Sequence, residues 1–95
     1  MALTNRCVRK GMGYCVGYSP KLHKYLIQTV TGVAVRYFNI TRDEFNLFTE
    51  DPESLDILAG KCKKFGTGSQ RFLCSSVTLE NTPTQLKYYE QIMSD

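Results

Sequence analysis

Up to Ile40 the apolar positions of this chain fall in short β-forming blocks, and beyond Ile40 they recur at helical spacing. The blocks are Tyr14-Cys15-Val16, Tyr25 to Val30 and Val33 to Phe38, rich in the β-branched and aromatic residues that suit a pleated surface. Ser19-Pro20-Lys21-Leu22-His23 links the first two, because Pro20 fixes φ and removes a donor, and Thr31-Gly32 marks a tight turn into the third. In the second block Leu26, Gln28 and Val30 point one way and Tyr25, Ile27 and Thr29 the other, so both sheet faces carry apolar character.

From Thr41 the punctuation is that of helices. Thr41 with Glu44 forms a capping-box pattern, and Phe45 and Phe48 share the face of a short helix. Asp51-Pro52-Glu53 opens a second helix, with an N-cap acid, proline at the first position and a further acid at the positive dipole end. Leu55, Leu58, Ala59, Cys62 and Phe65 form its expected buried stripe, and Lys61, Lys63, Lys64 and Gly66 close it. Arg71 to Leu79 has the length and alternation of a strand returning to the first sheet. Thr82-Pro83-Thr84-Gln85 then caps a terminal helix whose face is Leu86, Tyr89, Ile92 and Met93. The expected order is βββ-α-α-β-α, an α+β domain built on a small antiparallel meander.

Ninety-five residues, with 42% apolar content, suffice for one core and argue against disorder. With no repeat and no long linker, residues 1–95 are expected to form a single domain. No apolar run reaches the length of a membrane span, and Met1 to Arg6 precede no apolar signal core, so a cytoplasmic location is expected. Cys7, Cys15, Cys62 and Cys74 lack the close spacing of zinc ligands, so no metal or other cofactor is expected, and in that compartment they should remain reduced thiols. Asn39-Ile40-Thr41 has the form of a glycosylation acceptor, which has no use without secretion.

Charge is where the chain departs from the ordinary. Arg6, Arg9, Lys10, Lys21, Lys24, Arg36 and Arg42 precede position 43 without one acid among them, whereas from Asp43 to Gly60 there are six acids and no base. The net charge of +3 conceals this separation, and local potential is what steers a charged partner. Cations interleaved with aromatics suit phosphate contact and base stacking. Arg6, Arg9, Lys10, Lys21, Lys24 and Arg36 are thus the candidate contacts to phosphate or to an acidic partner, with Tyr18 and Tyr37 as candidate stacking residues. A structural role is also open to them, since a meander needs aromatics in its core and cations on its edges.

A catalytic constellation is missing from the residue order. His23 is the only histidine and falls in a turn, without an evident partner unless Cys15 lies across the hairpin near Lys24. The acids at helix N-termini are explained by the dipole. Gly11-Met12-Gly13 has neither the strand-loop-helix setting nor the Lys-Ser/Thr ending of a phosphate cradle, and Gly66-Thr67-Gly68-Ser69 follows the wrong end of a helix for an anion.

Gly13-Tyr14-Cys15-Val16-Gly17-Tyr18-Ser19-Pro20-Lys21-Leu22-His23-Lys24-Tyr25-Leu26-Ile27 resembles the first hairpin of SH3-like and Tudor-like barrels. That resemblance implies a barrel-like curl and a binding role, and no functional residue follows from it. The expected function is a non-enzymatic module whose cationic sheet binds nucleic acid. The alternative is a small accessory protein that binds and regulates or inhibits a protein target, and in either case a homodimer could form through a sheet edge.

Overall fold

The two-sided alternation of the second block is explained by helices on both faces of the sheet. The computed structural model describes residues 9–11, 14–32 and 34–94. Five antiparallel strands lie side by side in sequence order: β1 (Arg9–Gly11), β2 (Tyr14–Ser19), β3 (Lys24–Thr31), β4 (Ala34–Ile40) and β5 (Phe72–Ser75). Between β4 and β5 the chain forms α1 (Arg42–Glu50) and α2 (Pro52–Phe65), and after β5 it forms α3 (Pro83–Ser94). The α+β class and the βββ-α-α-β-α order are those expected, with β1 added before the meander.

The sheet does not close into the barrel that the hairpin resemblance implied. Among the described residues strand order runs linearly from β1 to β5, with no pairing between those two edges. Helices on both faces take the place of closure. On one face Tyr14, Val16, Ile27, Phe38 and Ile40 meet Leu55, Ala59 and Cys62 of α2, with Phe45 and Leu47 of α1 beside them. On the other, Leu26, Tyr37, Leu73 and Cys74 meet Ile92 of α3, with Leu22, Tyr88, Tyr89 and Met93 at the margin. Ile27 and Leu26 are both fully buried although they point in opposite directions. At roughly 1.5–3 kcal/mol per buried aliphatic side chain, this pair alone makes β3 the spine of the fold.

Two elements differ from expectation. The returning strand ends at Ser75 rather than Leu79 because side chains there compete with the ladder. Ser75 Oγ accepts from the Val77 amide at 3.0 Å, Asn81 Oδ1 accepts from the Ser75 amide at 2.8 Å, and a 3-10 turn follows at Thr78–Glu80. A register shift at Tyr37/Phe38 also places Cys74 opposite Tyr37 and Phe72 opposite Phe38. Leu73 is the extra residue of this bulge, which is why Leu73 and its neighbour Cys74 both reach the α3 face.

The second departure concerns the stripe on α2. Leu55, Ala59 and Cys62 are buried and Leu58 is half-buried, but Phe65 is 59% exposed. At about 100° per residue Phe65 lies roughly a quarter turn away from the direction shared by Leu55, Ala59 and Cys62. Gly66 then leaves the helix with φ 53°, a conformation that glycine adopts without strain.

The expected caps form as read. Thr41 Oγ1 accepts from the Glu44 amide and Glu44 Oε1 from the Thr41 amide, while Thr82 and Gln85 make the equivalent pair before α3. Asp51 Oδ1 accepts from the Ser54 amide at the start of α2. Among the described residues no helix is long and apolar enough to cross a membrane.

Candidate functional site

Among the described residues the cations that lie together in the sequence fall on different elements. Arg6 is outside the described residues, and Arg9 and Lys10 lie on β1 opposite Val16 and Cys15. Lys21 is in the β2–β3 turn and donates to Ser94 Oγ at the end of α3, at 2.9 Å. Lys24 begins β3 opposite Ser19, and His23 is exposed in the turn with φ 54°. Cys15 pairs with Gln28 towards the other end of this hairpin, so register separates the thiol from the imidazole.

Tyr18 is half-buried and stacks on Tyr25 with ring centroids 4.9 Å apart, and Tyr25 in turn meets Phe45 of α1 at 4.7 Å. Tyr37 is only 3% exposed and faces Tyr89 beneath α3, which closes its ring to an external base. Burial also pushes its hydroxyl well above the ordinary tyrosine range, an effect to which Tyr89 and the neighbouring thiols add.

Arg36 is an internal strut. Its Nε and Nη2 donate to the two Glu80 oxygens at 3.0 and 2.7 Å, and Ser75 Oγ donates to Glu80 Oε1 at 2.6 Å. The Arg36 hydrogen bonds, with help from Ser75, bring the Glu80 carboxyl down to about 2. Hydrogen bonding to Glu80 correspondingly raises the Arg36 guanidinium. A bidentate pair of this kind fixes β4 to the turn after β5 and leaves little of Arg36 for a phosphate.

A second bidentate pair ties α1 to the approach of β5. Arg71 donates to Glu44 Oε1 and Oε2 at 2.7 and 2.6 Å and to the Asn39 carbonyl at 3.3 Å. Burial alone would raise the Glu44 carboxyl, but the bonds from Arg71 and Thr41 outweigh it and hold the group below the usual carboxylate range. The same carboxylate thus caps α1 and orients Arg71.

Arg71 forms one wall of a surface cleft of about 400 Å³. Leu58 and Cys62 form its apolar floor, Lys61 and the exposed Phe65 stand on the α2 side, and Ser69 and Gln70 complete the wall on the β5 side. Lys64 extends over the Phe65 ring, 6.0 Å from its centroid. The helix pattern assigned Lys61 and Lys64 only a dipole role and placed Phe65 in the core. The angular offset of Phe65 from the buried stripe was the available signal for its exposure.

The described thiols are buried and apart. Register sets Cys15, Gln28, Tyr37 and Cys74 in one row across β2 to β5. Three strand spacings separate the two cysteines by about 14 Å, beyond disulfide reach. Cys62 lies on the opposite face. Burial pushes the Cys74 thiol up to about 12, and burial raises Cys62 as well, despite the opposing pull of Arg71. Among the described residues no cluster of His, Cys, Asp or Glu could hold a metal ion. No family model, curated protein or solved structure matches this chain.

Proposed function

We propose that this protein is a binding module for single-stranded nucleic acid and that the Lys61–Phe65–Arg71 cleft is where the strand is held. The observation that carries this reading is an exposed aromatic ring between two cationic side chains, at the mouth of a cleft of nucleotide size. Phe65 offers a stacking platform that suits any base, Lys61 offers a mobile point charge, and Arg71 is a planar donor held in orientation by Glu44. Ser69 and Gln70 supply polar groups suited to base edges or sugar.

The test is fluorescence anisotropy of a labelled single-stranded oligonucleotide titrated with the protein over a salt series. Phe65→Ala should weaken binding by about 1–3 kcal/mol, the usual value of one stacked base. Lys61→Glu should weaken it across all sequences and flatten the salt dependence by about one contact. An affinity unchanged by Phe65→Ala would remove the cleft from the interface.

A protein target is the second reading, favoured by the apolar floor of Leu58 and Cys62, which suits an aliphatic side chain flanked by acids. Failure to bind any oligonucleotide at low salt, combined with Phe65-dependent binding of an acidic peptide, would replace the first reading with this one.

A further inference from the structure

The outer face of α2 carries a pattern that its contacts among the described residues leave unexplained. Glu53, Ile57, Gly60 and Lys64 follow at intervals of four, three and four residues, which places them in one line opposite the buried stripe of Leu55, Ala59 and Cys62. All four are exposed, Ile57 at 61%. Gly60 sits in the middle of a fourteen-residue helix, where a Cβ would meet nothing within 4 Å. Glycine there costs about 0.5–1 kcal/mol against alanine, and no contact with the described residues requires it.

The line is complementary to itself. Reversed and laid against a second copy, it sets each Ile57 over the other chain's Gly60 and each Glu53 against the other chain's Lys64. The absent Cβ admits the isoleucine and lets the helices approach closely, while the acid and the base at opposite ends select the antiparallel direction. A parallel pairing would bring Glu53 against Glu53 and Lys64 against Lys64. The spacing is that of alternating core positions in an antiparallel helix pair. From these observations we infer that the chain forms a two-fold homodimer through the outer face of α2, with Ile57–Gly60 contacts at its centre and Glu53–Lys64 pairs at its ends.

This interface differs from a sheet edge, and its residues other than Lys64 lie away from the cleft. It is small, so the dimer is weak and forms at high protein concentration. Sedimentation equilibrium of the full chain, up to millimolar concentration, should show a reversible monomer–dimer equilibrium. Ile57→Asp should abolish it while circular dichroism remains that of the folded protein. Glu53→Lys and Lys64→Glu should each weaken the dimer about tenfold, and the double reversal should restore it. Gly60→Ala separates an interface from a purely helical effect: the dilute protein should unfold at a higher temperature while its dimer becomes weaker. A chain that stays monomeric at every concentration overturns the inference. So does a dimer indifferent to Ile57→Asp, or one that the double reversal fails to restore.

Discussion

Replacing Glu80 by Gln removes the charge that Arg36 grips while preserving the shape of the side chain. The guanidinium, helped by Ser75, lowers the folded-state carboxyl to about 2 from an ordinary 4.5. At about 1.4 kcal/mol per pH unit the gap sets a ceiling of roughly 3 kcal/mol. The side chains of Arg36 and Glu80 are 20% and 24% exposed, respectively, so solvent screening reduces the expected contribution to about 1–2 kcal/mol. Because the folded value lies below the unfolded one, this stability is fully present above about pH 4.5 and fades as the pH falls towards 2. Urea unfolding of the two proteins over a pH series measures it directly. Glu80→Gln should be less stable by about 1–2 kcal/mol at neutral pH, and the difference should shrink steadily once the pH drops below the ordinary carboxylate range. Equal stability at neutral pH, or a difference that persists undiminished in strong acid, would refute the assignment of Arg36 as a structural strut.

Two further measurements bear on the core and its thiols. In a Cys7→Ser background the native protein should react slowly with a thiol reagent, because Cys15, Cys62 and Cys74 are buried and burial raises the thiols of Cys62 and Cys74; a fast phase without unfolding would contradict that packing. Leu55→Ala should cost about 2–5 kcal/mol in urea unfolding, whereas Phe65→Ala should change stability by at most about 0.5 kcal/mol. A large loss at Phe65 would mean that this ring belongs to the core.

The Arg36–Glu80 pair shows what a charge map read along a chain leaves out. The early cations and the acids that follow look like two surfaces meant for outside partners. Folding engages one member of each group with a charge from elsewhere in the chain, Arg36 with Glu80 across 44 residues and Glu44 with Arg71 across 27. Both partnerships depend on β5 lying beside β4, which no local pattern specifies. Tyr37 met a similar fate. Its position in a β-forming block was legible, but its burial required knowing that α3 crosses that face of the sheet.

Local chemistry by itself determined the α+β class, the order of the elements, the caps at Thr41, Asp51 and Thr82, and the two-sided character of β3. Each depends on interactions within a few residues or on the period-two geometry of a strand, and both are written in residue order. Tertiary structure alone decided the linear five-stranded sheet, the bulge that turns both Leu73 and Cys74 towards α3, the early end of β5, and the cleft that joins Phe65 to Arg71. Those features arise where segments far apart in the chain compete for the same hydrogen bonds and the same buried space, and the outcome of that competition is settled only when all of them are packed together.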